Sequence, residues 1–288
     1  MNNQNSRMKR AQIAQETLKI IDTGTYVNHA GRRIELKSEL DSAINSTVLY
    51  RPTDLDYRLE DLSKKRQSQS NEPFIEITSE STLGAAKRLV VDENIRETVC
   101  LNFASAKNPG GGFLNGSQAQ EESLARSSGL YPCISQMQEM YDYNKKVGTG
   151  LYSDYMIYSP NVPVFRNDND ILLNLPYFVS FITAPAVNAG IVREREPRNQ
   201  ARIDQVMIER IKKILSVASS HNHRAIVLGA YGCGVFQNKL EDVSGYFRNI
   251  LLEQGYGQLF DRIVFAIYDH SPNKERINVF KKALRNKS

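Results

Sequence analysis

Cysteine is scarce in this 288-residue chain: Cys100, Cys133 and Cys233 are its three, and no CxxC occurs among them. That excludes a disulfide framework and points to a reducing compartment. Long apolar runs are missing too. None approaches the roughly 18 residues that cross a bilayer. The N-terminal MNNQNSRMKRAQIAQETL is polar and then amphipathic, without the apolar core of a signal peptide. A cytoplasmic protein with no membrane association is expected, with export by a route lacking an N-terminal signal left open. Charge of one sign is in small excess, 37 basic against 32 acidic residues for a net +5. This suits an anionic ligand such as a diphosphate and is too dispersed for a nucleic-acid interface. The densest basic run, Lys64-Lys65-Arg66, sits in a polar stretch that reads as a solvated loop. No internal repeat is present.

Hydrophobic residues at 41% and charged ones at 24% are ordinary for a globular protein, enough to build a core. Met8, Ile13, Leu18, Ile20 and Ile21 at helical spacing predict an amphipathic helix over 8–22. Residues 25–36 read as a hairpin turning at Ala30-Gly31, and 61–73, rich in Ser, Gln and Lys, as a linker. After it, strands are predicted at 74–78, 98–104, 155–159, 178–183, 225–230 and 262–269. Helices are predicted near 82–90, from about Gln118, at 199–219, at 241–254 and at 273–285. Near-continuous Val, Ile, Leu and Phe strands separated by helices imply an α/β fold whose sheet is covered on both faces. Residues 74–288 are expected to form one α/β domain, and 1–73 a helical extension packed on it.

Two glycine segments follow apolar strands. The first is NFASAKNPGGGF, 102–113, where Gly110, Gly111 and Gly112 allow close backbone approach to a ligand. Seven residues later come Gln120, Glu121 and Glu122 at a predicted helix start. Carboxylates are favoured there by the helix dipole alone, but these would lie beside whatever the glycine loop cradles. Adjacent helical residues diverge in direction, so the two glutamates are expected to differ in role. The second segment, GAYGCGVF, 229–236, lies between a strand and a helix, an arrangement that binds phosphate through backbone N–H groups. It is neither a Walker loop nor a Rossmann fingerprint. Two such loops suit a ligand with two phosphates, or a phosphate and a sugar.

NFASAKNPGGG, seven residues, QEES and then ARSSGLYPC together resemble the microbial-type poly(ADP-ribose) glycohydrolase family, macrodomain proteins with a GGG-X(6–8)-QEE signature. The resemblance extends through YSPNVPVFR (158–166), FITAPAVNAG (181–190), LGAYGCGVF (228–236) and VFAIYD (264–269). It implies a three-layer α/β/α macrodomain-like fold with a mixed, mostly parallel sheet. It also implies that Glu122 is general acid and then base, and that Glu121 holds the ribose at the scissile bond. Asn108 and the Gly110–Gly112 backbone would contact the distal ribose and the diphosphate, and Gln120 would line the substrate site. The loop of Gly232, Cys233, Gly234, Val235 and Phe236 would hold the diphosphate, with Phe236 on the distal ribose. No cofactor or metal is implied, and the partner is the ADP-ribose moiety of a modified protein, a polymer or a nucleic acid. The chain departs from the family pattern at Tyr231 (usually Trp), at Asn161 (commonly Asp) and at QNKL, 237–240 (commonly a basic-Asn-Asp-Pro run). These changes touch the rim and bear on substrate class more than on the reaction.

The chemistry fits the residues. Breaking a ribose C1″ bond through an oxocarbenium-like state needs a proton for the leaving atom and a base for water, and one carboxyl can do both in turn. Burial and the neighbouring Glu121 would raise the pKa of Glu122. Release of terminal ADP-ribose from polymer is the leading expectation. A mono-ADP-ribosylhydrolase acting on a side chain such as arginine or on a base is the alternative, and an inactive ADP-ribose reader the second. A monomer is expected. His221 and His223 read as an exposed connection rather than a metal pair, and Cys233 as a small loop residue rather than a nucleophile. Asp154, Asp168 and Asp170 are placed in surface loops, and the tyrosines of 131–158 read mostly as half-buried aromatics.

Overall fold

Residues 2–56, 73–269 and 271–285 are described by the computed structural model. Apart from Pro73, the linker read at 61–73 lies outside them. Helix α1 (Asn2–Thr23) leads into a hairpin of β1 (Thr25–Val27) and β2 (Arg33–Glu35), then α2 (Lys37–Asn45) and β3 (Val48–Tyr50). Strand β4 (Phe74–Thr78), helix α3 (Thr82–Lys87) and β5 (Thr98–Phe103) follow, then α4 (Gln120–Ser127), α5 (Leu130–Ser135) and α6 (Gln138–Lys146). Next come β6 (Met156–Arg166), β7 (Leu172–Ala184), α7 (Ala189–Arg195), α8 (Ile203–Ser220) and β8 (Ala225–Leu228). The described chain ends with α9 (Leu240–Arg248), β9 (Arg262–Ala266) and α10 (Glu275–Ala283). No described helix is long and apolar enough to cross a membrane.

The main sheet is ordered β3-β6-β7-β5-β8-β9-β4. It is parallel from β7 to β4 and antiparallel at β3-β6-β7. This is the three-layer α/β/α architecture with a mixed sheet that was expected. The apolar strands show why both faces are covered. In β5, Val99 and Leu101 enter one core while Cys100 enters the other. Ile226 and Leu228 of β8 alternate with Val227 in the same way, as the twofold period of a strand requires. Met207, Ile211 and Ile214 of α8 and Phe247 of α9 close the first face. Leu83 of α3, Leu124 of α4 and Ile134 of α5 close the second.

Several sequence readings need correction. The strands read at 155–159 and 178–183 are one long hairpin, β6–β7, whose register shifts after Ser159 and again after Val164. Asn161 at φ +46° and the two prolines of SPNVP disguised a continuous strand. Helix α4 begins at Gln120, not near Gln118, because Ala119 is still extended. Helices α2, α5, α6 and α7 and strand β3 had no distinct signal. The segment before residue 74 also supplies the sheet itself, since β3 pairs with β6 from Val48↔Tyr158 to Tyr50↔Met156.

Candidate active site

The site lies where β5 and β8 end. Strand β5 delivers the chain into the glycine loop, and the loop returns as α4. Gln120, the first residue of α4, ties the two together: its Oε1 accepts from Phe103 N at 2.8 Å, and its Nε2 donates to Leu101 O at 2.7 Å and Thr82 Oγ1 at 3.1 Å. Gln120 lines the cavity, but both ends of its amide are committed to protein.

Glu121 is 3% exposed. Its Oε2 accepts from Ser105 N at 2.6 Å, and its Oε1 faces Gly110 N at 3.3 Å and Asn102 Nδ2 at 3.4 Å. Burial, with the Glu122 charge adding to it, pushes the Glu121 carboxyl up to about 8 against these donors. Of the two carboxyls, that of Glu121 is the one removed from water. Glu122 is half-buried and faces the cavity, its Oε1 accepting from Gly112 N at 3.0 Å.

Both carboxylates converge on Gly111. A Cβ there would stand 2.4 Å from Glu122 Oε1 and 3.4 Å from Glu121 Oε2, and its φ is +57°. The triple-glycine N–H groups are all taken: Gly110 and Gly112 serve the two glutamates, and Gly111 donates to Asn108 O at 3.0 Å. The loop therefore grips the carboxylates with the groups that were expected to face the diphosphate.

The second loop differs. Asn238, buried behind it, donates to Gly232 O and Val187 O and fixes its shape. Among the described residues, no acceptor is paired with the N–H groups of Gly234, Val235 and Phe236. Val235 is 81% exposed, and the Phe236 ring rests against Tyr152 with centroids 5.8 Å apart. The two loops bound one cavity of about 1330 Å³. Residues 14–167, more than half of the chain, match the family described as microbial-type PARG, catalytic domain. The chain belongs to the microbial-type poly(ADP-ribose) glycohydrolases.

Solved structures bear this out. The poly(ADP-ribose) glycohydrolase of Thermomonospora curvata is 42% identical, with TM-score 0.91 over 96% of this chain and 100% of that one. The same enzyme bound to the inhibitor ADP-HPD is 41% identical, with TM-score 0.88 over 96% of this chain and 99% of that one. The Deinococcus radiodurans enzyme in complex with ADP-ribose is 40% identical, with TM-score 0.81 over 88% of this chain and 99% of that one. No curated protein sequence matches the chain. The chain is an ADP-ribosyl glycohydrolase with a macrodomain-like fold.

Of the glycohydrolase residues expected from sequence, Asn108, Gly111, Gly112, Gln120, Glu121 and Glu122 line the cavity, with Gly232, Gly234, Val235 and Phe236. Gly110 and Cys233 do not. The Cys233 sulfur turns away toward Tyr231 O and Lys239 O, and burial pushes its thiol up to about 12, the wrong direction for a nucleophile. Tyr231, where the family usually has Trp, is fully buried beneath the loop, its OH donating to Ala184 O at 3.1 Å.

Asp168 and Asp170, at the tip of β6–β7, reach the cavity mouth. Asp154 lies in the irregular segment before β6 but is half-buried there: against the effect of burial, Arg210 at 2.9 Å and Lys213 at 2.8 Å hold its carboxylate low. His223 is buried, contrary to the exposed connection expected, with its Nε2 2.9 Å from Tyr158 OH. Among the described residues no cluster fit for a metal occurs. Sequence reading missed Asn102 and Ser105, which seat Glu121, and Lys9 and Arg10 of α1, which line the cavity. A polar Asn at the end of an apolar strand was the available signal for the first; nothing local marks the last.

Proposed function

We propose that the enzyme releases terminal ADP-ribose from poly(ADP-ribose), with Glu122 as general acid and then general base. The supporting observation is the division of labour between the two glutamates: one buried and pinned by three donors, the other anchored by a single oxygen beside the open cavity. An ADP-ribose unit held with its diphosphate on the free N–H groups of Gly234, Val235 and Phe236 presents C1″ to Glu122. The Glu122 carboxyl protonates the leaving oxygen as the C1″–O bond breaks, and the oxocarbenium-like ribose is left facing the carboxylate. Glu122 then takes a proton from the attacking water, regenerating the acid and leaving a hydroxyl on C1″. Glu121, kept protonated near neutrality, positions the ribose without placing a second charge beside Glu122. We also read residues 74–288 as the catalytic domain and 1–73 as an extension packed on it, supported by the bond from Thr17 Oγ1 to Arg126 O of α4, 2.6 Å.

Asp168 and Asp170 at the mouth would suit a guanidinium leaving group instead. Asp168, however, already accepts from Ser81 Oγ at 2.6 Å, and Asp170 stands 4.0 Å from Arg126 Nε. Product analysis on automodified polymer and on arginine-ADP-ribosylated protein separates the two, and cleavage of the second alone would reject the polymer reading. Glu122→Gln tests the mechanism: turnover should fall by about 10²–10⁴ while ADP-ribose binding stays within a few-fold. Turnover within tenfold of the unmodified enzyme would remove Glu122 from this role.

A further inference from the structure

Pockets for a single small ligand occupy roughly 300–1,000 Å³, and this cavity, at about 1330 Å³, is larger. The lining continues past Gly112 through Asn115 to α1, where Lys9 and Arg10 join it. Helix α1 is seated tightly there. Arg7 Nε donates to Asn115 O at 2.9 Å and Arg10 Nε to Gly116 O at 2.8 Å. A Cβ on Gly116 would stand 2.0 Å from Arg7 O. Arg10 is bonded to Gly116 O, and Gly112, four residues earlier in the same loop, donates to Glu122 Oε1, which places Arg10 on the Glu122 side of the cavity.

The charges there are unevenly matched. Asp168 is bonded to Ser81 and Asp170 faces Arg126. No carboxylate among the described residues pairs with Lys9 or with the Nη groups of Arg10. Lys9 and the Nη groups of Arg10 are thus cationic donors free to meet an anion at this end of the cavity.

We propose that Lys9 and Arg10 form a leaving-group subsite, binding the diphosphate of the ADP-ribose unit that stays on the polymer when the terminal unit is cut. The assignment rests on the polymer reading above. It makes the N-terminal helix a specificity element: α1 holds the chain beyond the scissile bond while the two glycine loops hold the unit to be released. Arg10, its Nε already bonded to Gly116 O, loses less freedom on meeting a phosphate than an unheld side chain would.

The test compares two substrates, poly(ADP-ribose) and an aryl glycoside of ADP-ribose, which lacks the second diphosphate. Wild-type enzyme is measured first. If it cleaves the glycoside and leaves polymer intact, the polymer reading fails and the subsite with it. If both are cleaved, Lys9→Gln/Arg10→Gln should lower kcat/KM on polymer about tenfold, mainly through KM, and flatten its salt dependence. The glycoside should change by less than about twofold, a size set by surface electrostatics alone. Lys9→Glu, at an exposed and unbonded position, should shift the ratio of the two kcat/KM values in the same direction without disturbing α1. Equal losses on both substrates would make the role structural, and an unchanged ratio in Lys9→Glu and the double variant would overturn the subsite.

Discussion

A carboxyl group proposed to give up a proton and then take one back must stay in place through both steps, and here Gly112 N holds it while Gly111, lacking a side chain, leaves it room. Gly111 stands where any Cβ would strike Glu122 Oε1. Gly111→Ala should therefore lower kcat by at least about 10², the usual worth of a positioned acid, while the backbone strain at φ +57° costs only about 1–2 kcal/mol of stability. Steady-state kinetics beside a thermal melt distinguish the two. Activity within threefold would mean that the loop relaxes without moving the carboxylate. Phe236, if it packs on the distal ribose as proposed, would act by position rather than charge. Phe236→Ala should lower kcat/KM about tenfold or more with little change in melting temperature, since the half-buried ring faces the cavity. At this scale most of the site could be read in the sequence, because glycines and glutamates at fixed spacing declare themselves. Which glutamate is buried could not: that depends on Asn102, Ser105 and Gly110 closing round Glu121, contacts made from 11 to 19 residues away along the chain.

The elements that escaped sequence reading are those stabilised by partners rather than by pattern. Strand β3 is three residues long and exists because β6 offers it an edge. Helix α5 is six residues long and contains Pro132, yet Leu130, Cys133 and Ile134 are fully buried in the second core. By contrast, the long apolar runs of β5, β8 and β9 and the periodic α8 were evident at once. Helix α1 lies between these cases. Its periodicity showed a helix, but not that Ile13, Ala14, Thr17 and Ile20 are the covered face nor that its first turns reach the cavity. Ala14 and Thr17 meet α4 and the turn before it, tied by Thr17 to Arg126 O and by Arg10 to Gly116 O, while Ile20 packs with Tyr26, Leu36, Leu40 and Phe165. Removing residues 1–73 should thus strip the catalytic helix of its outer support and open the β6 edge to solvent. The fragment from 74 onward is expected to be insoluble, or to melt far below the full chain and lack activity. A soluble, fully active fragment would make the first 73 residues a separate module.

Across the whole molecule, two buried titratable groups set opposite dependences of stability on pH. Burial pushes His223 down to about 4. Its ring joins the cluster that ties β3 and β6 to the α8–β8 turn, where His221 stacks on Tyr158 at 3.6 Å. Below an unfolded pKa near 6.5 the unfolded chain binds a proton that the folded chain refuses, so stability falls with acidification from about pH 6.5 to about pH 4. Glu121 runs the other way. Held at about 8 when folded against about 4.5 when unfolded, it keeps a proton that the unfolded chain loses. Its stabilisation is complete below about pH 4.5 and drains away as pH rises toward 8. Between about pH 4.5 and 6.5 the two slopes, each about 1.36 kcal/mol per pH unit, cancel. Variants should expose them singly. The stability of Glu121→Gln relative to the unmodified protein should rise steadily from pH 5 to pH 8 in urea melts, whatever its offset at one pH. That of His223→Gln should rise as pH falls from 6.5 to 4.5. A pH-independent difference for either variant would mean that the group is not held in the protonation state its burial dictates. For Glu121 it would also withdraw the neutral carboxyl from the proposed handling of the ribose.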